Sequence, residues 1–166
     1  MSRLQVRDIM TAEVRTVKSD MRVPELEEFL IRERLTGTPV VDDGHLVGIV
    51  SRSDIVRQLC VERSFDASLS DYYFEGVSGN DAAPESLSAI GERVGARIED
   101  MSVRDVMIRD PLTLEAGASL REAAGQLMQH RLHRVPVVEK DRLVGVLSAL
   151  DLVGRVADGT LVEAPR

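Results

Sequence analysis

Tryptophan is absent from the 166 residues, and aromatic residues make up only 3%. The interior must therefore be built from Val, Leu, Ile and Ala. A single cysteine, Cys60, excludes an intrachain disulfide and a cysteine-based zinc cluster. No apolar run reaches the roughly 18 residues that suggest a membrane span. The opening "MSRLQVRDIM" lacks the apolar core of a signal peptide, so cytoplasmic residence without membrane association is expected. Basic residues are in deficit, with 21 Lys and Arg against 28 Asp and Glu and a net charge of −7. That balance argues against nucleic-acid binding, which needs a basic footprint. The deficit is local: residues 58–102 hold nine acids and three bases, and the remainder holds nineteen and eighteen.

The chain does contain a repeat. Residues 6–56 align with 103–153 without a gap, and 18 of the 51 positions are identical. Each copy opens on Val-Arg-Asp with a Met two residues on, and contains Pro-Val-Val, Leu-Val-Gly and a Ser-x-x-Asp. Duplication rather than chance accounts for such a pattern. Within each copy a short extended piece ("VRTV", "PLTL") precedes a helix-period stretch. Val23, Leu26, Phe29 and Leu30 share one stripe, as do Leu120, Ala123, Ala124 and Leu127. Pro24 suits a first helical turn, and Ser119 suits an N-cap. Two β-rich runs follow, joined in the first copy by Asp43-Gly44, a hairpin signal. A second helix starts after Ser51 or Ser148. Each copy thus reads β-α-β-β-α. About 50 residues bury too little surface to stand alone, so the expected fold is α+β, with two repeats packed sheet to sheet about a pseudo-two-fold axis. The expected boundaries are 1–57 for the first repeat, 58–102 for an inserted arm, 103–158 for the second repeat and 159–166 for a tail. The arm is acidic and holds Phe65, Tyr72, Tyr73 and Phe74, four of the five aromatics. Its "ESLSAIGERVGARIED" has weak helical periodicity. The arm is either a surface excursion or a functional cover.

The Ser-x-x-Asp pairs, Ser51/Asp54 and Ser148/Asp151, have capping-box spacing, with Asp in place of the usual Glu or Gln. A cap worth roughly 1 kcal/mol explains them without a ligand. The same geometry offers unpaired N–H groups to a phosphate and an acceptor-only carboxylate to hydroxyl donors. The copies then differ. The first has Arg52 and Ser53 between Ser and Asp, where the second has Ala149 and Leu150. Before Pro-Val-Val the first has Thr36-Gly37-Thr38, and the second has His133-Arg134-Val135. No Ser-His-Asp or Cys-His set has motif context, and there is no phosphate-binding Gly-rich loop. His130 and His133 lack a further ligand, so no metal is expected. "VRDIM" and "VRDVM" read as structural, with Val and Met packing while Arg and Asp pair or cap.

These features resemble a tandem pair of CBS domains, named after cystathionine β-synthase and often called a Bateman module. The residues that carry the resemblance are "VRDIM", "VRDVM", "TPVVDDGHLVGIVSRSDIV" and "VPVVEKDRLVGVLSALDLV". It implies two repeats packed through their sheets, a homodimeric disc of four repeats, and adenosine ligands such as AMP, ADP, ATP or S-adenosylmethionine. It implies that Asp54 or Asp151 anchors a ribose, with Ser51, Ser53, Ser148 and Arg52 nearby. The His-Arg-x-Pro form is similar to repeats in the γ subunit of AMP-activated protein kinase, which makes His133 and Arg134 phosphate ligands. Thr16 and Thr113 would bond adenine. Gly37 would admit its edge, and Val40 and Val137 would flank its faces, with Thr38 and Val135 beside them. Two-fold packing would gather the Arg52 group and the His133-Arg134 group, and the two clefts should not be equivalent. The expected function is a nucleotide sensor acting on a separate effector protein, not an enzyme. The alternative is a ligand-free dimerisation scaffold.

Overall fold

A computed structural model describes residues 4–60 and 95–160. The four aromatics of the inserted arm and the first ten residues of its helix-period stretch lie outside the described residues. Among the described ones the fold is α+β, as expected. The elements are a 3-10 turn Val6–Asp8, α1 Val23–Arg32, β1 Gly37–Asp42, β2 His45–Ser51, α2 52–60, α3 95–100, α4 Val103–Val106, β3 Ile108–Arg109, β4 Leu114–Glu115, α5 Leu120–Gln129, β5 Arg134–Glu139, β6 Arg142–Ser148 and α6 Ala149–Ala157. The order β-α-β-β-α holds in the second repeat as β4, α5, β5, β6 and α6. In the first repeat the leading strand is reduced to one bridge, Val17 parallel to Val40.

The compact units are not the sequence repeats. One comprises residues 4–16, 41–48 and 110–160, and the other 17–40, 49–60 and 95–109. The first repeat's opening therefore belongs to the unit built on the second repeat, and residues 103–109 belong to the unit built on the first.

In the second-repeat unit, β5 pairs parallel with β4, Leu114 opposite Val137, and antiparallel with β6. Flanked on both sides, β5 is buried over its four central residues, the continuous apolar run of an interior strand. Val6 N–H donates to Ala118 O at 3.0 Å, and Arg7 N–H to Ala116 O at 2.9 Å. Thr11 and Val146 exchange backbone bonds of 2.9 Å each. Val6 and Ile9 thereby join a core with Leu114, Leu120, Leu127, Val135, Val137 and Leu147. The approach is close at Gly145, where an added Cβ would stand 2.9 Å from Met10 Cγ and 3.0 Å from Thr11 O. The "VRD" residues do pack and cap. Asp8 accepts from Gln5 N–H at 2.8 Å, and Arg7 lies 3.5 Å from Glu139. Ser119 caps α5, accepting from Glu122 N–H at 3.2 Å.

The first-repeat unit repeats this logic. Val23 N–H donates to Met101 O at 2.9 Å, Val103 N–H to Met21 O at 2.8 Å, and Arg104 N–H to Ser19 O at 2.9 Å. Leu26 and Leu30 on the buried face of α1 lie in the same unit as buried Val17, Val40, Val50 and Val103. Pro24 sits in the first turn of α1. Ser102 and Asp105 form a further capping box: Ser102 N–H and Oγ donate to Asp105 Oδ2 at 2.8 and 2.7 Å. The hydroxyl and backbone bonds from Ser102, aided by Arg104 and Arg109, hold the Asp105 carboxyl below its ordinary value. A depressed carboxylate stabilises the fold above the unfolded pKa, and that contribution disappears as pH falls through the folded one. Ser102→Ala should raise the Asp105 pKa part of the way toward its ordinary value, since the hydroxyl bond is its largest cause of depression, and reduce the stability lost on acidification. Carboxyl carbon shifts followed against pH would show it; an unmoved pKa would contradict the assignment.

The hairpins differ in cost. Asp43 and Gly44 at the first tip have φ of 51° and 82°, and the second tip places Lys140 and Asp141 at 52° and 61°. Both match a type I′ turn, in which both central residues are left-handed. Asp141 stands where the first copy has Gly44, and glycine adopts that left-handed conformation with no Cβ penalty, whereas aspartate retains a reduced one. Asp141→Gly should therefore raise stability by about 0.5–1 kcal/mol, measurable by urea unfolding.

Candidate functional site

Each repeat brings the turn before its Pro-Val-Val to the N-terminus of its last helix. In the second-repeat unit, Ala149 N–H donates to His133 O at 2.9 Å, and Arg134 stands opposite Ser148 in the β5–β6 register. His133, Arg134, Ser148 and Asp151 therefore converge. In the first-repeat unit, Arg52 N–H donates to Thr36 O at 3.1 Å. A Cβ on Gly37 would meet Val50 O at 2.9 Å and Ser51 Cβ at 3.0 Å. This close strand approach requires glycine whether or not a ligand binds. The two expected sets of site residues thus lie in different units.

The helix caps are present in both copies, and they are not equal. In the second, Ser148 N–H and Oγ donate to Asp151 Oδ2, each at 2.7 Å, and Asp151 N–H returns a bond to Ser148 Oγ at 3.2 Å. Asp151 is half-buried, and its Oδ1 has no partner among the described residues. In the first, Ser51 N–H and Oγ donate to Asp54 Oδ2 at 2.8 and 2.6 Å. Asp54 is only 4% exposed, and Arg57 Nη1 donates to its Oδ1 at 3.0 Å. Both oxygens of Asp54 are engaged. The residue aligned with Arg57 in the second copy is Gly154, which has open space where a Cβ would stand. Sequence reasoning that stopped at the Asp missed Arg57, although the repeat alignment three residues further on carries the difference.

The remaining candidates divide by exposure. His133 and Arg134 are exposed, with Arg131 exposed just before them. Arg52, Ser53 and Thr16 are also exposed, and Thr113 is half-buried. Thr38 is buried, and its hydroxyl donates to Pro39 O at 3.5 Å. Val40, Val135 and Val137 are each 0% exposed, so packing accounts for their side chains. No group of His, Cys, Asp or Glu suited to a metal ion occurs among the described residues. None of the described helices is long and apolar enough to cross a membrane.

The CBS-domain family model matches residues 6–60 and 103–158. The chloroplastic CBS domain-containing protein CBSX1 of Arabidopsis thaliana is 30% identical over 149 residues, covering 85% of this chain and 58% of its own length. The chain spans a similar 61% of CBSX2 from the same plant. The crystal structure of CBSX2 in complex with AMP matches with a TM-score of 0.66 at 26% identity, covering 94% of this chain and 98% of that one. The CBS domain pair of protein MJ0100, in complex with 5′-methylthioadenosine and S-adenosyl-L-methionine, has a TM-score of 0.60. It is 20% identical over 96% of this chain and 99% of that one, a likeness of fold alone. The chain belongs to the CBS-domain family, as a tandem pair.

Proposed function

We propose that this CBS-domain pair is a regulatory module that binds an adenine nucleotide, with its open anchor in the second repeat. The observation that carries this reading is Asp151 Oδ1, an acceptor with no partner among the described residues, on a cap whose Ala149 N–H bonds to the backbone of His133 and whose Ser148 pairs with Arg134, both exposed. An ionised carboxylate oxygen accepts from a ribose hydroxyl, and a guanidinium takes a phosphate as a bidentate donor. The N-terminus of α6, whose Ala149 and Asp151 N–H groups are already bonded to His133 O and Ser148 Oγ, adds the favourable end of a helix dipole. The AMP complex of the related CBSX2 supports an adenine ligand of this class, with ADP, ATP and S-adenosylmethionine as alternatives.

Binding, not catalysis, is the proposed activity. A ligand preferring one arrangement of the pair shifts the population toward it by its differential affinity, and a separate effector protein reads the shift. Homodimerisation and cytoplasmic residence belong to the same proposal. The scaffold reading has one observation in its favour: Leu150, Val153 and Val156 form an exposed apolar stripe on α6. That stripe suits association with a second copy and is compatible with ligand binding.

Thermal unfolding and titration calorimetry with AMP, ADP, ATP and S-adenosylmethionine test the proposal. A ligand at 100 times its dissociation constant should add about 2.7 kcal/mol. Neither a shift nor a heat with any of the four would reduce the molecule to a scaffold.

A further inference from the structure

Resting on the nucleotide reading above, we infer that Arg57 is a closing residue that shuts the first repeat's anchor, leaving the chain one open site rather than two. Asp54 and Asp151 occupy equivalent positions in the repeat alignment and each accepts from its serine cap, yet among the described residues only Asp54 has its second oxygen occupied, by Arg57 Nη1 at 3.0 Å. The Asp54 side chain is 3% exposed, while that of Arg57 is 65% exposed, so the guanidinium lies at the surface over a buried carboxylate. A ribose hydroxyl approaching Asp54 must displace a charge-assisted bond. The same approach to Asp151 displaces nothing among the described residues, and Gly154 offers no side chain to replace Arg57.

A helix-stabilising ion pair one turn apart is the ordinary role of such an arginine, and it predicts no effect on ligand. Closure predicts one. The test is titration calorimetry with AMP and with ATP on four proteins: the parent chain, Asp151→Ala, Asp151→Ala/Arg57→Ala and Asp151→Ala/Arg57→Lys. The parent should take up one nucleotide per chain, and Asp151→Ala should bind at least tenfold more weakly. Arg57→Ala added to Asp151→Ala should recover at least tenfold in affinity, because the first anchor opens. Arg57→Lys keeps the cation over Asp54 and should recover little. A double variant with alanine that binds no more tightly than Asp151→Ala overturns the role of Arg57 and leaves the nucleotide reading standing. Two nucleotides on the parent do the same. If neither the parent nor the double variant binds AMP or ATP, the nucleotide reading fails and the inference falls with it.

Discussion

Val6→Asp should lower the unfolding free energy by at least about 3 kcal/mol, because it places an unpaired charge in a core. Val6 is 0% exposed and packs with residues of the second repeat, although it lies in the first by sequence. The milder Val6→Ala separates the two assignments. It should speed amide exchange in residues 135–147, whose β5 and β6 share its core, more than in residues 23–30 of α1. Val103→Ala should do the reverse, since Val103 is bonded through its N–H to Met21 O in the other unit. Native-state hydrogen exchange reports such local differences in opening free energy. Loosening of α1 by Val6→Ala, with 135–147 unaffected, would show that each opening packs with its own repeat.

Asp151→Ala is expected to weaken AMP binding about 10- to 150-fold, the equivalent of the roughly 1.5–3 kcal/mol of a hydrogen bond to a charged group. Asp54→Ala should change AMP affinity less than about threefold. Its cost lies in stability: a buried carboxylate that accepts from Ser51 and Arg57 disappears, leaving Ser51 N–H without its acceptor, for about 1–3 kcal/mol. The two variants thus separate a binding aspartate from a structural one. Calorimetry measures the first effect and urea unfolding the second. Equal loss of AMP affinity at both positions would contradict the asymmetry between the repeats.

Much of this was legible in the sequence because it depends on local order. The duplication, the apolar stripe of α1, the Pro24 start, the Ser119 cap and the Asp43-Gly44 hairpin each follow from residues within one turn or one strand of each other. The Ser51/Asp54 and Ser148/Asp151 caps follow in the same way, since a side chain three residues on reaches back to the N-cap N–H in any helix. The Ser102/Asp105 cap had the same spacing and was readable by the same rule.

Three features depended on the tertiary structure. The exchange of openings between units could not be read from periodicity, because Val6 and Val103 have the same local pattern and differ only in which core surrounds them. Burial of Val135 and Val137 follows from the core that Val6, Ile9, Leu120 and Leu127 complete around them, which a β-branched run permits but does not specify. The sequence alone determined that each repeat has an aspartate three residues after a serine cap. Whether that aspartate retains a free oxygen depended on Arg57 side-chain geometry, since an arginine one helical turn away can reach the carboxylate or extend into water.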